Sequence, residues 1–165
     1  MGAEINRPFF FIVGAQKAAT STLDFLLEQH PDVFMPAVKE PNYIAAQFWE
    51  LPFGGPGDFR LSETVIHSPE DYRLLYADAA PEQIAGDAST ANLYYWRKAI
   101  PIIKEQFGDV PLMICLRNPV DRAYSAYMHL RRDLREPLSF EEGLAQEPVR
   151  REKNWSFIWF YRDVG

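Results

Sequence analysis

Phe9-Phe10-Phe11-Ile12-Val13-Gly14-Ala15-Gln16-Lys17-Ala18-Ala19-Thr20-Ser21-Thr22-Leu23 is the stretch that decides the fold. The apolar run from Phe9 to Val13 is far too short to span a membrane and is stopped by Gly14. Such a run predicts a strand buried on both faces, as inside a parallel sheet. Small residues around Lys17 come next, then the hydroxyls of Thr20, Ser21 and Thr22, then Leu23, Leu26 and Leu27 at helical spacing. A buried strand, a tight turn and a hydroxyl-rich helix start make an anion site. The unpaired N–H groups of the first helical turn point into the turn, the helix dipole adds partial positive charge, and Lys17 adds a full one. The plainer reading is an ordinary strand-to-helix turn with a Thr or Ser cap. It leaves a lysine among small residues without a packing reason. The familiar Gly-x-x-x-x-Gly-Lys-Ser/Thr loop is not matched, so this is a phosphate-type loop of another class.

Composition narrows the class. A chain of 165 residues with 47% apolar content supports one ordinary core. A net charge of −6 argues against a general nucleic-acid binder, whose footprint is basic, and leaves room for a local anion site. The single cysteine, Cys115, sits in an apolar run and reads as a small buried hydrophobe of a reduced protein. Residues 1–8 lack a charged start followed by an apolar core, and no stretch has the length of a membrane helix. A soluble, cytoplasmic protein is therefore expected. The prolines are scattered, which predicts many loops in place of one disordered tail.

The rest of the chain alternates strands and helices. His30-Pro31 ends the first helix, because the residue before proline avoids the helical region. Asp32 to Pro36 reads as a short extended piece, and Leu51 to Leu61, rich in glycine and proline, as a loop. Ser68-Pro69-Glu70-Asp71 starts a helix expected to run to about Ala79, with Tyr72, Leu75 and Tyr76 inward. Gln83 to Asp87 predicts a short buried strand leading into Ala88-Ser89-Thr90, and Lys98 to Phe107 a helix ended by Gly108. Val110 to Leu116 predicts a second buried strand, broken by Arg117-Asn118-Pro119, with a helix following over 120–133. Ser139 to Glu142 is a capping box for a last short helix, and the aromatic run 155–161 reads as core. The pattern is α/β with a parallel sheet flanked by helices, whose ligands bind at the carboxyl ends of the strands.

Three strand ends then share one edge: Gly14 to Thr22, Asp87 to Thr90, and Arg117 to Ser125. Arg117 leaves a strand and Ser125 lies two turns into the next helix, so a guanidinium fork and a hydroxyl can cradle a second phosphate-like group. The competing reading pairs Arg117 with Asp121 or Asp87. Arg122 reads as a surface or bridging residue. Ser89 and Thr90 either contact a substrate or cap the following helix. Lys39-Glu40, taken alone, reads as a solvated surface pair. His30, His67 and His129 show no ligand spacing and read as exposed or capping residues, and no metal is called for.

These motifs resemble those of sulfotransferases that use 3′-phosphoadenylyl sulfate, especially the heparan-sulfate type and its bacterial relatives. Gly14 to Leu23 is similar to that family's Gly-x-Gln-Lys-x-Gly-Thr-Thr-x-Leu loop. Arg117-Asn118-Pro119-Val120-Asp121-Arg122-Ala123-Tyr124-Ser125-Ala126-Tyr127 is similar throughout to its second motif, and His30-Pro31, Met35-Pro36 and Lys39-Glu40-Pro41 to the segment between. The resemblance spans residues 9–127. It implies a P-loop-like fold, 3′-phosphoadenylyl sulfate as donor substrate with the 3′,5′-bisphosphate as product, and a reaction without metal. It implies that Lys17, Ala18, Ala19, Thr20, Ser21 and Thr22 hold the 5′-phosphosulfate and that Arg117 and Ser125 hold the 3′-phosphate. It further implies Glu40 as base and Lys17 as stabiliser of the leaving phosphate. Lys39, Asn42 and Ser89 then stand near the substrate. The acceptor would be a carbohydrate, a lipid or another small molecule carrying a hydroxyl or amine.

Two departures stand out. Ala19 replaces the glycine of the first loop, where a methyl group either crowds the ligand or forces a helical backbone. Asn42 stands where many relatives carry histidine. Relatives also have a later loop containing glycine and lysine that encloses the nucleotide, so residues 1–165 read as one domain, the front portion of a longer one. The alternative functions are a phosphoryl-transfer enzyme, kept open by Asp87 as a magnesium-holding acid, and a non-catalytic nucleotide-binding remnant.

Overall fold

A computed structural model describes residues 9–163; the reading of residues 1–8 as free of a leader lies outside them. Strand β1 (Phe9–Gly14) is the centre of a four-stranded parallel sheet, with β2 (Val33–Phe34), β3 (Ile84–Asp87) and β4 (Leu112–Ile114) in the order β2-β3-β1-β4. Phe9 to Phe11 pair with Ala85 to Asp87 on one side, and Phe11 and Ile12 with Leu112 and Met113 on the other. Side chains alternate across a strand, and β1 uses both faces. Phe9, Phe11 and Val13 pack with Tyr72, Tyr76, Ala99 and Ile103, while Phe10 and Ile12 pack with Met35, Leu23, Leu27 and Met113. Each such side chain contributes roughly 1.5–3 kcal/mol by leaving water, so the short apolar run accounts for much of the core.

The helices are α1 (Thr20–Glu28), α2 (Tyr43–Ala46), α3 (Phe59–Thr64), α4 (Pro69–Leu74), α5 (Ala91–Tyr94), α6 (Trp96–Phe107), α7 (Pro119–Arg132) and α8 (Phe140–Glu152), followed by a 3₁₀ turn, Phe157–Trp159. Local chemistry sets several ends. Ser68 Oγ accepts from Asp71 N at 2.9 Å with Pro69 behind it. The Ser139–Glu142 capping box is complete, with Glu142 Oε2 accepting from Ser139 N at 2.9 Å. Asn118 Oδ1 accepts from Val120 N at 3.0 Å, and Pro119 opens α7.

Several expectations are corrected. The second apolar strand is shorter than 110–116 and is not buried: Leu112 and Ile114 are exposed because β4 is the edge of the described sheet. Leu26 points outward, leaving Leu23 and Leu27 as the inward pair of α1. Helix α4 ends at Leu74 and continues as turns, though Tyr72 and Tyr76 are buried as expected. The end of the 51–61 loop is already α3, α5 was not foreseen, and α8 is thirteen residues long. Arg122 is buried, its guanidinium donating to the Tyr161 carbonyl.

That contact belongs to a polar lattice that anchors residues 155–161. Asp58, fully buried, accepts from Ser156 N (2.9 Å), Ser156 Oγ (2.8 Å), Trp159 Nε1 (3.0 Å) and Arg135 Nη2 (2.5 Å). A buried carboxylate needs this many donors to offset its lost hydration. The aromatic run is core, as expected, but the lattice aims Ile158 at the site described next.

Candidate functional site

The carboxyl ends of β1, β3 and β4 open on one cavity of about 500 Å³. Its wall includes Lys17, Thr20 and Ser21 from the first loop, Thr90 after β3, and Arg117 and Ser125 from the third strand end. Lys39 and Glu40 reach it from the segment before α2, and His129 from α7.

The first loop is built for close approach. Gly14 has φ +148°, and a Cβ there would lie 2.8 Å from Leu93 Cβ, so no side chain fits. Lys17 (φ 65°) and Ala19 (φ 67°) both adopt the left-handed backbone. The expectation that alanine would force a helical conformation at residue 19 is therefore overturned: Ala19 keeps the glycine-like geometry at a cost of about 1–2 kcal/mol. It is also the N-cap of α1, with no side-chain cap bond, so the hydroxyls are not used in capping and the leading amides remain for a ligand. Burial lowers the Lys17 ammonium from its ordinary value, and Arg132, Lys39 and Arg117 push the same way while Asp133 opposes.

Glu40 lies opposite. Thr90 Oγ1 donates to Glu40 Oε1 at 3.2 Å, and Lys39 Nζ stands 3.9 Å from the same oxygen. Burial raises the Glu40 carboxyl above the usual carboxylate range; Lys39 and the Thr90 hydroxyl pull it back in part. The Lys39-Glu40 pair remains partly exposed, as a surface pair would be, but it also forms one wall of the cavity. A carboxylate with a raised pKa, held beside an ammonium, is a stronger base than a free one.

Arg117 donates from Nη1 to the Lys17 carbonyl at 3.3 Å and pairs with neither Asp121 nor Asp87 among the described residues. Arg117 and, from α7, Ser125 both line the cavity. Asp87 is fully buried and accepts from Tyr72 Oη at 2.7 Å, away from the cavity. Glu40 is the one carboxylate in the cavity wall among the described residues. No group of three or more His, Cys, Asp or Glu side chains among them is placed to hold a metal ion.

Of the residues singled out by sequence, Lys17, Ala19, Thr20, Ser21, Lys39, Glu40, Arg117 and Ser125 meet in this cavity. Ala18 and Thr22 belong to the loop but do not line it. Ser89 is also withdrawn from it, because its buried hydroxyl accepts from Asn42 N at 3.1 Å. Its neighbour Thr90 occupies the wall. Sequence reasoning missed His129, although its spacing of four from Ser125 on a helix put both on one face. Ile158 had no signal, since the Asp58 lattice brings it from far along the chain.

A family model described as Sulfotransferase family matches residues 8–159. Human carbohydrate sulfotransferase 15 is 25% identical over 173 residues, covering 84% of this chain and 30% of that protein; the rat protein of the same name is 24% identical over 174 residues. The chain thus spans about a third of the length of these curated relatives. A sulfotransferase from Alicyclobacillus acidocaldarius, known from its crystal structure, superposes with a TM-score of 0.92 at 43% identity, over 96% of this chain and 64% of that one. No helix among the described residues is long and apolar enough to cross a membrane. With an α/β parallel sheet, a left-handed loop carrying Lys17 and a family match across nearly its whole length, the chain belongs to the sulfotransferase family.

Proposed function

We propose that this chain moves a sulfuryl group from 3′-phosphoadenylyl sulfate to a hydroxyl or amine. The observation that carries the reading is the convergence of Lys17, Arg117 and Glu40, from separate segments, on one cavity. Its donor set suits an anionic ligand with two separated phosphate groups: an ammonium and free helix amides at one end, a guanidinium and the Ser125 hydroxyl at the other. The residues of the first loop hold the 5′ end and Arg117 with Ser125 the 3′-phosphate.

In the reaction the acceptor oxygen or nitrogen bonds to sulfur as the bond from sulfur to the 5′-phosphate oxygen breaks. Lys17 and the first amides of α1 stabilise the negative charge that grows on that leaving oxygen, an effect of about 3–4 kcal/mol per well-placed donor. Glu40 takes the proton lost by the acceptor. Thr90 and Lys39 hold its carboxylate in place, and burial raises its pKa toward the working pH. Lys39 also lies between base and phosphate loop, while Asn42 and Ser89 support the acceptor side. A phosphoryl-transfer reading would need an acid beside the phosphates, and Asp87 faces Tyr72 instead.

The test is direct. Calorimetry should show adenosine 3′,5′-bisphosphate binding far more tightly than ATP with magnesium. Glu40→Gln should keep that affinity while lowering the transfer rate about 10²–10⁴-fold. Preference for ATP, or a Glu40→Gln rate close to wild type, would reject the reading.

A further inference from the structure

Glu40 reaches the cavity from a strained stretch of chain. Glu40 (φ 53°) and Asn42 (φ 51°) are both left-handed, on either side of the buried Pro41. That conformation is unfavourable for any residue with a Cβ, and it persists only where the surroundings over-determine it. One bond of this turn is internal, from Asn42 Nδ2 to the Glu40 carbonyl at 2.8 Å. Others come from outside. Ile66 N donates to the Pro41 carbonyl at 2.9 Å, and Asn42 N to Ser89 Oγ at 3.1 Å. The next residue, Tyr43, stacks on Tyr72 with ring centroids 4.2 Å apart and planes 14° from parallel.

Two of these holds lead to a carboxyl group that the reaction does not use. Asp87, fully buried at the end of β3, accepts from Tyr72 Oη at 2.7 Å and so fixes the ring on which Tyr43 lies. Burial raises the Asp87 carboxyl above the usual carboxylate range, and hydrogen bonds from Ser89 and Tyr72 pull it back in part. Taking a carboxyl out of water is costly. Here it ties the end of β3 to both groups that carry the turn, the Tyr72 ring and the Ser89 hydroxyl.

We propose that Asp87 is a positioning residue for Glu40, acting through Tyr72 and Ser89 on the left-handed turn that presents the carboxylate to the donor cavity. Thr90, one residue beyond Ser89, completes the hold by donating to Glu40 Oε1 at 3.2 Å. Residues 87–90 thus grip residues 40–43 at the backbone, at the ring that follows and at the reacting carboxylate itself.

The experiment reads Glu40 directly. Its side-chain carboxyl carbon is followed by NMR in the full chain as pH is varied, with Glu40→Gln to assign the signal. Burial raises the titration midpoint, Lys39 and the Thr90 hydroxyl lower it, and Asp87 and Asp24 raise it through space. Tyr72→Phe keeps the stacked ring and removes its bond to Asp87. Tyr43→Leu removes the stack and leaves the bonds of Asp87 in place, and Ser89→Ala releases Asn42 N. In each variant the loosened turn admits water to Glu40, and the midpoint should fall toward the ordinary glutamate value. A purely structural role would lower the melting temperature and leave the midpoint where it was. A midpoint unchanged in any one of the three would overturn the proposal; if the exception is Tyr43→Leu, the effect belongs to the Asp87 charge alone. Should Tyr72→Phe fail to fold, the other two variants carry the same test. The proposal rests on the reading of Glu40 as base, but the titration needs neither donor nor acceptor. A Glu40→Gln rate close to wild type rejects that reading, whereas an unmoved midpoint rejects only the positioning role.

Discussion

Lys39 Nζ donates to Ser21 Oγ at 2.5 Å while standing 3.9 Å from Glu40 Oε1. One ammonium therefore ties the segment carrying the carboxylate to the helix start carrying the phosphate loop. The two segments are far apart in sequence and share no sheet pairing, so this contact and the Thr90–Glu40 bond set the distance between base and anion site. The same charge also acts on Glu40 through space, favouring its ionised form against burial.

Lys39→Met should separate these effects by pH. Without the ammonium, the Glu40 carboxyl rises further above its usual range. A base must be ionised to act, so activity appears as pH rises through that value and the acid limb of the rate profile should move to higher pH. At saturating donor, the loss should be largest in mildly acidic buffer and smallest in alkaline buffer. A loss uniform across pH would assign Lys39 to positioning alone.

Arg117→Ala should weaken the 3′,5′-bisphosphate by about 1.5–3 kcal/mol in calorimetry and adenosine 5′-phosphate much less. Arg117 is exposed and free of carboxylates among the described residues, so its effect should shrink as salt is added. Equal losses for both nucleotides would make its bond to the Lys17 carbonyl its main contribution.

How much of this was legible in sequence depended on the range of the interaction. The strand from Phe9 and the loop at Lys17 were readable because burial on both faces and an uncapped helix start leave local patterns. Arg117 was readable for the same reason, as a cation where Asn118 and Pro119 break a strand, whereas the cap at Asn118 and the helix start at Pro119 emerged only from the structure. The edge position of β4 was not readable, because an apolar run looks alike whether or not a neighbour covers it. Arg122 was misjudged since its partner, the Tyr161 carbonyl, is set by the bonds of Tyr161 to the distant Glu147 and Glu136 rather than by adjacent residues. Ser89 was expected beside the substrate, yet Thr90 lines the cavity in its place, because which hydroxyl faces it follows from how Asn42 docks on Ser89.

Ala19→Gly should stabilise the chain. Residue 19 has φ 67°, where a Cβ is strained and glycine is not. The gain is offset by glycine's greater freedom when unfolded, about 0.4–1 kcal/mol, so a net increase of up to about 1 kcal/mol is expected in urea unfolding. Affinity for the bisphosphate should be retained or improved, since the methyl lines the cavity. A destabilised variant would show that the alanine methyl packs favourably enough to outweigh the strain.

His129 should couple nucleotide binding to protons. It lines the cavity four residues after Ser125, with Nδ1 2.9 Å from Arg132 Nη2 and Nε2 3.9 Å from Asp133 Oδ2. Burial lowers its pKa from the ordinary value; Lys17, Arg132 and Arg135 add to this and Asp133 opposes. In the free protein the proton is therefore disfavoured relative to the unfolded chain. Stability contributed by the neutral ring is present above the unfolded pKa of about 6.5 and is lost as pH falls below it. A bound phosphate reverses the local charge, raises the His129 pKa and draws in a proton. Between about pH 8 and about pH 5.5, acidification should then favour bisphosphate binding more in the wild type than in His129→Gln. The comparison with the variant is needed because the phosphates themselves lose charge near pH 6, which weakens binding in both proteins alike. Calorimetry in buffers of different ionisation enthalpy should show proton uptake on binding at about pH 6.5 in the wild type and less in the variant. Identical pH dependence and proton uptake in the two proteins would place His129 outside the reach of the phosphates.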